Sequence, residues 1–173
     1  EITDAATAVI DVTGATSLSA TRDIALDRAA THEFDGQITI TAEDILFRAN
    51  ADATFAAVTA NGGETSATVG GYGDATITLD TGAISLTGAV AGTTVDLTAE
   101  DGISQNAAGI ITATTLTLDP TGGAADLSAA VNLVGTLLGD SGDITFNDGD
   151  AITLGAITAD NLTITSVGAI DQS

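Results

Sequence analysis

Short runs of alternating apolar and polar residues return at a nearly fixed distance along this chain, and that recurrence constrains its fold more than any other feature. The runs are TSLSA around Leu18, QITIT with Ile38 and Ile40, ATITL with Ile77 and Leu79, TVDLT with Val95 and Leu97, TLTL with Leu116 and Leu118, DITF with Ile144 and Phe146, and NLTIT with Leu162 and Ile164. Alternation of period two is the pattern of a strand with one buried face. Leu18 to Ile38 is 20 residues, Ile77 to Val95 is 18, Val95 to Leu116 is 21 and Ile144 to Leu162 is 18. Ile38 to Ile77 is 39, two such steps, with Val58 near the middle. A period of about 20 residues holding two or three short strands is one coil of a solenoid.

Composition decides which solenoid. The 173 residues are 44% hydrophobic but only 3% aromatic, with 20 Gly and one Pro, Pro120. Thr, Ile, Val and Gly are poor helix interiors, and no 3.6-residue stripe is long enough to carry helices, so helical solenoids are excluded. The fixed Asn or Cys column of a leucine-rich repeat is not visible. The fold expected is all-β, a parallel β-helix with coils of about 18–21 residues. Ile77, Leu79, Val95, Leu97, Leu116, Leu118, Leu162 and Ile164 are expected to point inward and stack in register. Turns are expected at AEDG (99–102), TGG (121–123) and NDGD (147–150). At about 4.8 Å per coil, eight or nine coils would make a rod roughly 40 Å long. The 28-residue gap from Leu116 to Ile144 breaks the metre, and residues 126–139 read as an extra strand or a side excursion.

A longer repeat overlies the short one. Residues 77–105 align with 144–172 at an offset of 67 or 68, placing Ile77 on Ile144, Ile84 on Ile152, Leu86 on Leu154, Val95 on Leu162, Ile103 on Ile170 and Gln105 on Gln172. DATFAAVTA (52–60) is a weaker third copy. The chain reads as a duplicated multi-coil unit.

Charge narrows the function. Asp and Glu number 24 against three cations, Arg22, Arg28 and Arg48, for a formal net charge of −21. Phosphate binding needs the opposite sign, so nucleic acid is excluded as a partner, and anionic membrane surfaces are disfavoured for the same reason. The acid reads as a solvated surface, or as adaptation to salt and divalent cations outside the cell. There is no Cys, which removes disulfides, zinc clusters and thiol chemistry. No apolar run approaches the roughly 18 residues that span a bilayer. The chain opens with EITDAATAVI, without an initiator Met or a signal-peptide pattern.

DITFNDGDAITLGAITADNLTITSVGAIDQS, DGISQNAAGIITATTLTLDPTGGAADLS and ATSLSATRDIALD resemble the repeat region of filamentous-haemagglutinin-like large exoproteins, bacterial adhesins secreted by the two-partner route. The resemblance covers nearly the whole chain and lies in the order of degenerate motifs. It implies a right-handed parallel β-helix, export across an outer membrane and a fibrous stalk on the cell surface. It carries over no catalytic residue. The closing AIDQS joined to the opening EITDAATAVI reads as continuous repeat text. Residues 1–173 are therefore expected to be one segment, a tile or fragment of a longer tandem array, whose partners are neighbouring repeats or identical subunits end to end, with a host or cell-surface receptor.

Several residues could suggest chemistry. His32, in ATHEFDG, is expected in a turn; a lone His builds neither a His-based metal cluster nor, without a placed Ser and Asp, a triad. Arg22 and Arg48 could imitate the base of a β-helical polysaccharide lyase, but the chain has four Phe, one Tyr and no Trp to hold sugars. Paired glycosidase carboxylates cannot be picked from among the Asp residues by spacing alone. GGYGDATIT (70–78) approaches the calcium-binding nonapeptide, with Asp74 one position early, and NDGD gathers Asn147, Asp148 and Asp150 in one turn. Neither carries an EF-hand ligand list. NLT (161–163) is a glycosylation sequon placed in a strand. Thr39, Thr41, Thr76, Thr78, Thr115, Thr117, Thr163 and Thr165 face outward in Thr-x-Thr pairs, as an ice-binding face would; Thr is also the polar residue best suited to an exposed strand. No catalytic, cofactor or metal residue is assigned, and Ca²⁺ is the one ion that the motifs suggest.

The reading is a structural and adhesive segment of a secreted bacterial surface fibre, not an enzyme. The alternatives are an ice-binding module or a calcium-dependent adhesin module of immunoglobulin-like sandwich type, which would show strand spacing near 8–12 residues and a stronger aromatic core. A polysaccharide-degrading β-helix is the weakest alternative.

Overall fold

Val, Ile, Leu and Thr alternate along every run, so each run satisfies its backbone only by pairing with a neighbour, and the neighbour lies one coil away. A computed structural model of the chain describes residues 1–27, 32–62 and 73–173. The described residues contain strands and turns without helix. One 16-stranded sheet wraps around the molecule beside a two-stranded sheet of Asp11–Val12 and Glu33–Phe34, and every strand pairing is parallel. The architecture is a β-solenoid of about seven coils, fewer than the eight or nine expected.

Three faces can be followed by register. On the first, Ile24, Ile45, Ala75, Val95, Leu116, Leu137 and Leu154 pair in succession. The steps are 21, 30, 20, 21, 21 and 17 residues. The 30-residue step holds an insertion that the regular metre does not accommodate, and it lowers the coil count. On the second face the succession is Ala53, Ile84, Ile103, Ala125, Ile144 and Leu162. On the third it is Leu18, Ile40, Val58, Val90 and Ile111.

These columns are the core. Ile77, Leu79, Val95, Leu97, Leu116 and Leu118 are all at most 2% exposed, as expected. Burying each such side chain contributes about 1.5–3 kcal/mol. Leu162 is different. It stacks on Ile144 in register, yet it is 43% exposed, because no further coil covers it; Ile164, stacked on Phe146, is partly buried. The few aromatics gather: Phe34, Phe47 and Phe55 pack with ring centroids 5.2 and 5.5 Å apart.

Of the two readings of residues 126–139, the strand holds and the side excursion is corrected. These residues belong to the strand Ala124–Asp140, which bends through all three faces, pairing with Gly102–Ser104, then Thr112–Ala113, then Thr115–Leu118. The apparent break arose from comparing Leu116, on the first face, with Ile144, on the second. The long repeat also falls out of step. Three coils on from Ile77, through Leu97 and Leu118, the register reaches Gly139, five residues short of Ile144. Residues matched in the long repeat therefore sit on different faces.

Turns occur at residues 100–101 and 121–123 as expected, but that of NDGD is confined to 149–150: Asn147 and Asp148 end the strand Asp143–Asp148 because they pair with neighbouring coils. Small residues are needed there because successive turns stack closely. A Cβ on Gly88 would lie 1.6 Å from the Ala56 carbonyl oxygen, and Gly82 adopts φ +89° over Asp52.

Candidate functional site

The stacked interior is apolar except near its two ends. Among the described residues the buried polar side chains are Asp4, His32, Asn132 and Asp148.

Asp4 follows Thr3, which pairs with Ala25, so it heads the inward column continued by Leu26, Phe47 and Ile77. Its carboxylate meets His32, whose Nε2 lies 3.2 Å from Asp4 Oδ2. The Ile10 backbone N–H donates to His32 Nδ1 at 3.1 Å. That donor makes Nδ1 the acceptor, so Nε2 carries the proton and donates it to Asp4. His32 is fully buried rather than exposed in a turn, because its ring replaces an apolar side chain beneath the first coil. Both ring nitrogens are engaged, leaving none to take a proton from a nucleophile. The pair fixes the first coil on the stack.

Asn132 and Asp148 continue the third-face column above Ile111. Asn132 Oδ1 accepts the Ile111 N–H at 3.0 Å, and Asn132 and Gln105 exchange amide hydrogen bonds at 3.1 Å. Asn132 Nδ2 also faces the carbonyls of Leu127 and Asn147 at 3.1 and 3.0 Å. One coil on, Asp148 Oδ1 accepts from the Val134 N–H and Oδ2 from the Asp150 N–H, both at 3.0 Å. Burial pushes the Asp148 carboxyl above its ordinary range; the two N–H donors oppose the shift and the nearby Asp150 charge adds to it. The polar side chains here accept backbone N–H groups where the register shifts between coils.

Aspartates at the corners do similar work near the surface. Asp44 Oδ1 accepts the Asp74 N–H at 3.0 Å, and Asp74 Oδ1 in turn accepts the Thr94 N–H at 3.1 Å. Asp52 Oδ1 accepts the Ala83 N–H at 2.8 Å. Each carboxylate ties one coil to the next. Asp74, singled out by its likeness to a calcium motif, thus has a role in coil register; residues 70–72 of that motif lie outside the described residues. In NDGD, Asn147 Nδ2 donates to the Ala130 carbonyl, and Asp148 is the buried carboxylate above. No group of three or more His, Cys, Asp or Glu that could hold a metal is found among the described residues.

The other residues of interest are dispersed. Arg48 makes a two-point contact with Asp80 at 2.7 and 2.8 Å, across adjacent coils of the first face. The Asp80 hydrogen bond raises the Arg48 pKa, the opposite of what a lyase base requires. Arg22 is exposed at a bend, and Arg28 lies outside the described residues. Asn161 Nδ2 donates to Asp143 Oδ1 at 2.7 Å, one coil away. The threonines do not form one continuous ladder: Thr76 and Thr117 share their column with Leu46, Asp96 and Leu138. Thr78 and Thr98 share theirs with Arg48 and Asp119.

The sequence reading missed the buried network at Asn132. Its signal is present: Asn132 interrupts an otherwise apolar VNLV at an inward position. At the last coil, a recess of about 740 Å³ opens between Leu154, Ile157, Leu162 and Ile170, with Asp171 and Gln172 on its rim.

No curated protein and no solved structure matches the chain. A family model described as repeats of unknown function (DUF5649) matches residues 1–41 and 141–173. The chain is a repeat protein, and its similarity to that family lies in the segments at the two ends of the solenoid.

Proposed function

We propose that the chain is a structural and adhesive segment of a secreted bacterial surface fibre, a stiff rod that holds binding surfaces away from the cell. The observation that carries this reading is the register itself. Among the described residues, parallel pairing recurs coil after coil from Ile2 to Gln172 around a nearly unbroken apolar interior. Such a stack gains stiffness from every added coil and needs no cofactor. On this reading the segment catalyses no reaction, and the purified chain leaves pectin-like and glucan polymers intact. Its partners are further coils of the same kind, in the same chain or in a second copy. The half-exposed Leu162 and Ile170 of the last coil supply the apolar surface on which such a coil would pack. The net charge of −21 opposes contact between separate copies, so salt or Ca²⁺ promotes it.

Gold-labelled antibody against these 173 residues tests the location on intact bacteria. Label along fibres outside the cell supports the reading; label that appears only after lysis overturns it.

A further inference from the structure

We propose that Asp148 is a protonation-dependent latch on the last coils: with its carboxyl protonated these coils are held most firmly, and with it ionised they open ahead of the coils before them.

The geometry singles out this position. In the third-face column, Leu18, Ile40, Val58, Val90 and Ile111 give way to Asn132, Asp148 and Ser166. The change of character coincides with a change of coil. The first-face step is 21 residues from Leu116 to Leu137 and 17 from Leu137 to Leu154. Register shifts fall on both sides, between Leu127 and Asn132 and between Leu137 and Gly139. The shortened coil is thus joined to the longer ones through a polar side chain where the others are joined by aliphatic packing.

A wholly buried carboxylate needs compensation for its lost hydration. Two backbone N–H groups, of Val134 and Asp150, supply part of it. Among the described residues no positive group completes it. From the strand below, Ala124–Asp140, the side chain stacked on Asp148 is the neutral Asn132, while the acids of that strand, Asp126 and Asp140, are exposed. From the strand above, Asn161–Ser166, it is Ser166. The charged group nearest in its own turn is Asp150, which repels. Arg48 is held by Asp80 several coils away, and Arg22 lies earlier still.

The sign follows. A carboxyl whose folded-state pKa is raised contributes stability that is fully present below its unfolded pKa and is lost as pH rises through the folded value. Acid therefore tightens the coils around Asp148, and neutral pH loosens them. This holds wherever the rod is displayed, and so stands apart from the fibre reading.

Hydrogen exchange followed by mass spectrometry on the full chain tests the latch, across a pH series that runs from below the ordinary aspartate pKa to neutral, with correction for intrinsic exchange. Protection of residues 143–166 is expected to rise several-fold on acidification relative to residues 95–118. Asp148→Asn removes that difference, and Asp150→Asn reduces it. Equal pH responses in the two regions, or an unchanged difference in Asp148→Asn, overturn the proposal. Should Asp148→Asn fail to fold, carboxyl carbon NMR on the unmodified chain decides: a midpoint for Asp148 above the ordinary aspartate range supports the latch, and a midpoint within or below it refutes the latch.

Discussion

Asn132 lies directly beneath Asp148 in the coil stack, and the two polar residues occupy the column that Val90 and Ile111 fill with aliphatic side chains below. Asn132 bonds the Ile111 N–H, the Gln105 amide and two backbone carbonyls. Asn132→Leu would extend the apolar column and still destabilise the protein. It strands those groups away from water at a cost of about 1–3 kcal/mol, with the Leu side chain offsetting only part of it. Chemical denaturation measures the change; a Leu variant as stable as the parent would show that the network is dispensable.

At the other end, Asp4→Ala leaves the His32 Nε2–H buried without this acceptor, and a loss of about 1–3 kcal/mol is expected. Asp4→Asn keeps an acceptor oxygen and should cost less than half as much. Equal denaturation midpoints for both variants would contradict the proton placement assigned to His32.

Gly88 tests the closeness of the turns. Its added Cβ would meet the Ala56 carbonyl oxygen at 1.6 Å, whereas a Cβ on Gly14 meets nothing within 4 Å. Gly88→Ala should cost about 1–3 kcal/mol, and Gly14→Ala should stay within about 0.5 kcal/mol of the parent. A tolerant Gly88 would mean that adjacent turns stack less closely than described.

The contact between Arg48 and Asp80 is partly exposed, with side chains 40% and 26% accessible. Arg48→Gln should therefore change stability by no more than about 1 kcal/mol, and the effect should shrink with added salt. A larger, salt-independent loss in thermal melts would give this pair a structural weight that its exposure denies.

Much of the fold was legible in the sequence because the strand period of two and the coil period of about 20 are both carried by inward aliphatics. Ile77, Leu97 and Leu118 announced their column from spacing alone. Face assignment was not legible. A run such as DITF alternates identically whether it lies on the first face or the second, so Ile144 was matched to Ile77 although the register separates them. The buried polar residues were harder still. His32 sits beside turn-forming residues in ATHEFDG, and its pairing depends on Asp4, 28 residues away, arriving at an inward position. Asp148 looked like one more turn carboxylate in NDGD. Only its register, one coil on from the inward Asn132, places it inside.

The parallel, coil-on-coil register is the claim on which everything else depends, and spin labels measure it directly. The chain has no cysteine, so introduced thiols carry the labels without background. Asp96 pairs with Thr76 on one side and Thr117 on the other, all on the outward side of the first face. Labels at Thr76→Cys and Asp96→Cys should lie one strand spacing apart, about 5 Å, and show strong dipolar broadening at low temperature. Labels at Thr76→Cys and Thr117→Cys, two spacings apart, should show clearly weaker broadening. Absence of broadening for the first pair, or equal broadening for both, would contradict the solenoid.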